Sequence, residues 1–364
     1  MTFSVSLFHA ATPLVVPYVS SLGVTAKIDS VFALVRLADG RTGCSEVTPI
    51  AGYNEESLEE IWAQLNRLAQ SVVALEPELA LQRVADCAAD APYACSPLAA
   101  ALEEALGRLP DPLAGGAAPI AVIAPVLSRH IPDVHAEVAA LVAAGYTTLK
   151  VKAGMDFERD LVRIAEVRRS AGRAARLRID FNGAYDAQTA LCFVARLDPA
   201  GIELIEQPCA AEDWEGNLRV AQATPIATML DESIRGIADV RRAGALGAFR
   251  FFKMKLGKFP TLASIEDAYA EGEALGMHGI LGNGAATDVA CRLEACIAGR
   301  HREHAGEMNG FAKNVVQYLR TPLSCVQGGI ETGALPENRV DAEALRRRAL
   351  RSAEYGTHEQ VGTP

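Results

Sequence analysis

The strongest constraint on the fold is a repeat in the second part of the chain. Short apolar segments recur at 118–126, 148–152, 177–182, 202–206, 226–232, 251–255, 279–283 and 304–309. Helical spacing fills most of the gaps, at 134–144, 157–171, 187–197, 237–243, 264–275 and 286–299. Alternating strand and helix signals with short apolar strands argue a parallel sheet. Eight such units argue closure into a (β/α)8-type barrel. A polar residue ends each unit after the first: Lys152, Asp180, Glu206, Asp231, Lys255, Asn283 and Glu307. The steps between them are 28, 26, 25, 24, 28 and 24 residues, so one height on the barrel recurs once per unit.

The first third of the chain reads differently. A strand at 31–37, a turn at 38–43 and a second strand at 43–46 suggest a meander. Helical spacing follows at 55–75 and 79–87, and Ser96-Pro97 predicts a helix start with Ser96 as N-cap. The Pro/Gly-rich stretch 110–116 marks a boundary. The expected organisation is an α+β domain over 1–117, completed by about 321–364, and a barrel over 118–320. In the last segment, 327–333 reads as a hairpin and 341–351 as a basic helix, the whole packing back on the N-terminal domain.

Composition removes several classes of function. With 35 Lys+Arg against 45 Asp+Glu, the net charge is −10, which repels nucleic-acid and membrane-surface partners. No apolar run reaches the ~18 residues of a membrane span. The first lysine is Lys27, so no basic region precedes the apolar start. The eight cysteines form no CxxC pair and read as reduced, packed thiols, which predicts a cytoplasmic protein.

Barrel active sites lie at the C-terminal strand ends. Asp180, Glu206 and Asp231 end three successive strands there. Three carboxylates a few Å apart stay ionised together only around a cation, and hard oxygen ligands suit Mg2+. Glu232 follows Asp231 and, on strand alternation, is expected to face away. Lys152 and Lys255, on strands two and six, stand half a ring apart across the cation. A lysine partly desolvated beside a cation acts as a base. Lys150 and Lys253 precede them by two residues and are expected to orient a substrate carboxylate or the lysines themselves. Asn182, Asn283, Glu307 and Asn309 complete the polar ends.

These segments resemble a known family. Thr148-Leu-Lys-Val-Lys-Ala-Gly, Ile179-Asp-Phe-Asn-Gly-Ala-Tyr, Ile205-Glu-Gln-Pro, Leu230-Asp-Glu-Ser and Met254-Lys-Leu-Gly-Lys are similar to the enolase superfamily. Within it they resemble the muconate lactonizing enzyme subgroup of the mandelate racemase/muconate lactonizing enzyme type. The resemblance covers roughly residues 25 to 340, including the hairpin Asp39-Gly-Arg-Thr-Gly. It implies a modified (β/α)7β TIM barrel with an N-terminal α+β capping domain. It implies Mg2+, or Mn2+ in its place, on Asp180, Glu206 and Asp231, with Lys152 and Lys255 as acid and base. The implied chemistry is abstraction of a proton alpha to a carboxylate through a metal-stabilised enolate. The partner is then a small-molecule carboxylate, in a homo-oligomeric enzyme.

The mandelate racemase branch uses a histidine at strand seven; here that strand ends Leu281-Gly-Asn and His278 comes too early. Phe259-Pro260 replaces the usual Gly-Gly, Ala100-Ala-Leu-Glu-Glu-Ala replaces the usual Trp-Asp region, and Ser45 replaces a hairpin glycine. Glu307-Met-Asn-Gly is similar to the Asp-x-Asp-Gly with which dipeptide epimerases of the family hold a substrate ammonium. That favours racemisation or epimerisation of an amino-acid-derived substrate, with cycloisomerisation or dehydration as the alternative. Segments 17–24 and 48–55 are expected to close flexibly over the site, bringing Tyr18 and Tyr53 to the substrate. A Schiff-base aldolase or a binding protein on the same barrel are the other classes; in-register acids oppose the first and an intact ligand and lysine set the second.

Overall fold

Apolar residues alternate through the opening segment, and in the computed structural model, which describes residues 3–333 and 335–356, that segment is a long strand. Strand β1 (Phe3–Ser20) runs antiparallel to β2 (Gly23–Leu37), which pairs with β3 (Thr42–Val47). Phe3, Val5 and Leu7 face one core, and Phe8 and Ala10 face the other. The segment 17–24 is the tip of this hairpin, with Tyr18 paired to Thr25 and Ser20 to Gly23. In the sheet β1 lies between β14 and β2, and its burial alternates from Phe3 to Leu7 before both faces become buried at 7–10.

Helices α1 (Leu58–Val72), α2 (Pro77–Asp86) and α3 (Pro92–Ala105) cover one face of this sheet. Ser57 and Glu60 close a capping box at the start of α1. Helix α3 begins a turn before the predicted Ser96, with Pro92 in its first turn and Pro97 inside. The Glu56 carboxylate accepts from the Tyr93 and Ala94 amides at 2.8 and 3.1 Å, so a distant acid replaces the local cap. A Cβ on Gly43 would lie 2.0 Å from the Ala101 carbonyl oxygen, so β3 can approach α3 this closely only through glycine.

The barrel follows. Strand β4 (Ile120–Ala121) and strand β5 (Ala124–Pro125) split the predicted first strand in two. Next come α4 (Ile131–Ala143), β6 (Thr148–Lys152), α5 (Phe157–Ala171), β7 (Arg176–Asp180), α6 (Ala187–Val194) and β8 (Ile202–Glu206). Then follow α7 (Trp214–Ala223), β9 (Ala227–Leu230), α8 (Ile237–Leu246), β10 (Phe251–Met254), α9 (Leu262–Ala274), β11 (His278–Leu281) and α10 (Asp288–Ala298). The parallel sheet runs β11-β10-β9-β8-β7-β6-β5. The predicted eighth strand closes it without a full ladder. The Gly306 amide donates to Ala121, the Ile123 amide to Gly306 and the Glu307 amide to Leu281, each at 2.9 Å. The fold is thus the expected α/β barrel with an antiparallel N-terminal sheet and helices.

Strands β12 (Cys325–Val326) and β13 (Gly329–Ile330) form the predicted hairpin, but it pairs with β4 rather than with the N-terminal sheet. Helix α11 (Ala342–Arg348) is capped by Asp341, and β14 (Arg351–Tyr355) returns to pair with β1. Residues 1–2, 334 and 357–364 of the expected capping domain lie outside the described residues. Among the described residues no helix is long and apolar enough to cross a membrane.

Candidate active site

Parallel register sets the three acids side by side. Lys152 pairs with Asp180 across β6 and β7, and Asp180 with Glu206 across β7 and β8. Asp231 lies just past β9, and its amide donates to the Gln207 side-chain oxygen at 2.9 Å. The same oxygen accepts from Ser233, and the Gln207 amide donates to the Ser233 hydroxyl, so Glu-Gln-Pro and Asp-Glu-Ser are tied together. Asn182 and Gln207, shortly after the acids Asp180 and Glu206, take positive φ of 45° and 37°. Left-handed backbone at non-glycine residues is costly and is kept where the surroundings enforce it.

The acids are at most 3% exposed. Lys150 Nζ lies 2.9 Å from Asp180, 2.8 Å from Glu206 and 2.8 Å from Glu307. Lys152 Nζ donates to Asp180 at 2.6 Å and to Asn182 at 2.5 Å. Lys255 Nζ lies 3.0 Å from Asp231 and also donates to the Tyr53 hydroxyl, which donates to Asp231 at 2.7 Å. The two lysines thus attach to the outer members of the acid row, one at each end. Glu206 Oε1 is buried with no hydrogen-bond partner among the described residues. An all-oxygen donor set with such an orphaned atom fits a hard divalent cation.

Electrostatics sort the groups. Burial pushes the Asp180 and Asp231 carboxyls up, but the lysines outweigh it and hold both below the ordinary range. Burial, with Asp180 beside it, raises Glu206. Burial disfavours the Lys150 and Lys152 ammoniums, yet the adjacent carboxylates, Asp180 foremost, leave both above the ordinary lysine range. Burial lowers Lys258 and Lys313 to about 8. Glu232, by burial and then Asp231, is raised to about 7.

The remaining predicted residues divide. Both Glu307 oxygens accept from Lys150, at 3.0 and 2.8 Å, and Lys253 also donates to this carboxylate. Asn309 instead donates to the Ile123 carbonyl at 2.8 Å, so the two side chains engage different partners. The Asn309 amide turns back on the Glu307 carbonyl, which breaks strand alternation between them. Asn283 accepts from the Ala285 amide at 3.0 Å and caps its own turn. Asn182 donates to Glu232 at 2.9 Å, so Glu232 faces the site, contrary to expectation. Strand β9 stops at Leu230, and alternation does not extend to 231–232. Beside the acids opens a cavity of about 1500 Å3 lined by Tyr53, Tyr93, Asn182, Glu232, Arg235 and Lys258, among others.

Residues 133–334 match the family described as enolase C-terminal domain-like. An aromatic dipeptide epimerase of Herpetosiphon aurantiacus is 30% identical over 283 residues, 74% of this chain and 79% of the relative. This chain belongs to the mandelate racemase/muconate lactonizing enzyme subgroup of the enolase superfamily. Muconate cycloisomerase 1 of Pseudomonas putida is 30% identical over 249 residues, 62% of this chain and 64% of its own length, a little under two thirds. A crystal structure of a dipeptide epimerase from Cytophaga hutchinsonii, complexed with Mg and the dipeptide D-Ala-L-Val, superposes with a TM-score of 0.86 at 22% identity. That match covers 97% of this chain and 100% of the neighbour.

As an enolase-superfamily isomerase, the chain shares with its relatives a proton-abstraction chemistry. Sequence reading quotes Gln207, Glu232 and Lys258 inside motifs without assigning them work, and omits Lys313. The Lys258 side chain lies 2.9 Å from Asp231 Oδ1. Lys313 donates to the Gly284 carbonyl at 2.6 Å. The lone signal for Lys258 is its place immediately before the departure Phe259-Pro260.

Proposed function

We propose that this enzyme racemises or epimerises an amino-acid-derived carboxylate whose α-nitrogen is acylated, with Mg2+, or Mn2+ in its place, on Asp180, Glu206 and Asp231. The observation that carries the reading is the buried row of three acids with Lys152 hydrogen-bonded to one end and Lys255 to the other. A bound divalent cation supplies electrostatic stabilisation to the charge that develops on the substrate carboxylate. Lys152 removes the α-proton from one face, and Lys255 returns a proton from the other. Asn182 orients Lys152, and Tyr53 orients Lys255. Lys150 and Lys253 sit on Glu307 and balance its charge. A Glu307 so engaged is a poor anchor for a free ammonium, which favours an amide nitrogen at the reacting carbon.

The same engagement of Glu307 supports a second reading, cycloisomerisation of an acid without nitrogen, as in the related muconate cycloisomerase. The test is incubation in D2O with Mg2+ of three substrate sets: N-acyl amino acids, dipeptides and unsaturated dicarboxylic acids. Deuterium at the α-carbon of both enantiomers of an N-acyl amino acid is the expected result. Turnover of the dicarboxylic acids alone selects the second reading, and no exchange in any set, with metal bound, removes both. Assembly as a homo-oligomer is part of the proposal, and light scattering in solution checks it.

A further inference from the structure

The active site occupies the C-terminal end of the barrel. At the opposite end, where β11 and the closing segment begin, three ligating residues meet that the proposed chemistry does not use. His278, the first residue of β11, Glu303 and His304 each place a ligating atom within 4.8 Å of the other two. The two imidazoles stand 4.9 Å apart, inclined at 64°. His278 Nδ1 is 3.5 Å from Glu303. His304 Nδ1 lies 3.2 Å from Glu203, whose side chain is only 5% exposed and is held by Arg178 at 2.7 Å. Phe251 packs against both rings, at 5.5 and 4.9 Å.

We propose that His278, Glu303 and His304 form a second cation site, for a first-row transition ion such as Zn2+. The donor set decides the ion. Two imidazoles and a carboxylate suit Zn2+ and its neighbours and do not suit Mg2+, which prefers oxygen and water. The pairing of His304 with Glu203 is the carboxylate behind a ligating histidine that fixes tautomer and ring orientation and leaves Nε2 to face the ion. Tetrahedral ligands at ~2.1 Å lie about 3.4 Å apart, so the cluster must tighten slightly. The Glu303 side chain is 79% exposed and the His278 side chain 43%, so both are free to make that movement. The fourth position is open to water. Bound there, the ion links the start of β11 to the closing segment, which a few backbone hydrogen bonds otherwise hold in the ring.

The test uses untagged full-length protein, stripped of metal and then saturated with Mg2+. Titration with Zn2+ by calorimetry, and with Co2+ by visible absorption, is expected to give one further ion per chain with a tetrahedral, nitrogen-containing Co2+ spectrum. His278→Ala and His304→Ala are each expected to weaken that binding at least tenfold, and Glu303→Gln to weaken it less. Circular dichroism confirms that each variant is folded; His278 and Glu303 are exposed enough that their variants serve even if His304→Ala does not fold. An absent second equivalent, or one that His278→Ala leaves unchanged, overturns the proposal.

Discussion

The two lysine flanks of the acid row are built on one plan with different wiring. On each, a buried lysine meets an outer acid, an aromatic ring from the N-terminal unit lies over it, and a second lysine lowered to about 8 stands nearby. Tyr18 lies 5.7 Å from Lys152 and 4.9 Å from Lys313; Tyr53 lies 3.9 Å from Lys255 and 5.1 Å from Lys258. Tyr53, however, also hydrogen-bonds through its hydroxyl to Asp231 and Lys255, whereas Tyr18 meets its lysines through the ring face. Behind the row the contrast deepens. The Arg163 guanidinium donates to the carbonyls of Lys152, Ser128 and Val126. The Glu294 carboxyl accepts from the amides of Leu256 and Asn283. One flank rests on a permanent cation and the other on a titratable acid.

The largest effect tests whether the flanks share one reaction. Lys152→Ala and Lys255→Ala are each expected to cut kcat by about 10²–10⁴-fold, the range of a lost general acid or base. Each variant is expected to keep deuterium exchange with one enantiomer only, and the opposite one in the two variants. Exchange of both enantiomers in either variant breaks the two-face scheme. Mass spectrometry on recovered substrate reads this directly.

A smaller effect tests the wiring. A hydrogen bond to a charged group contributes about 1.5–3 kcal/mol, so Tyr53→Phe is expected to lower kcat about tenfold or more. Tyr18→Phe keeps the ring and is expected to change kcat less than about threefold, since a ring-face contact with an ammonium survives. Equal losses in the two variants would show that the flanks are alike in function despite their geometry. Steady-state kinetics on the same substrate decides it.

The barrel is legible in sequence because its strands are short, apolar and ended by polar residues at nearly constant steps. Asp180, Glu206, Lys152 and Lys255 follow from that register alone. Glu232 and Asn309 escape for one cause: the chain leaves strand geometry at those points. Glu232 faces the cavity because β9 ends before it, and Asn309 turns onto Ile123 because the closing segment is not a continuous strand. Tyr18 and Tyr53 are expected from sequence to reach the substrate, but the lysines they meet, more than 130 residues away, are set by packing of the N-terminal sheet and helices. Likewise, no sequence period announces Arg163 or Glu294, since each acts on the backbone of neighbouring strands.

The smallest effect follows from that last pair. Burial raises the Glu294 carboxyl to about 8, even though two amides donate to it. In the unfolded chain it titrates near the ordinary ~4.3. Between these values the folded protein binds a proton that the unfolded chain has released. Folding stability from this group is therefore full below the unfolded value and is lost as pH rises toward about 8. Glu294→Gln keeps an oxygen acceptor for the Leu256 and Asn283 amides and removes the titration. The variant is expected to be the more stable of the two already at pH 6, and by a wider margin at pH 9. Arg163 stays charged over this range, so Arg163→Lys is expected to shift stability by a similar amount at both pH values. Urea denaturation at pH 6 and pH 9 measures all three proteins. Parallel pH profiles for wild type and Glu294→Gln would mean that Glu294 is already ionised at neutral pH, and the contrast between the flanks would reduce to the hydroxyl of Tyr53.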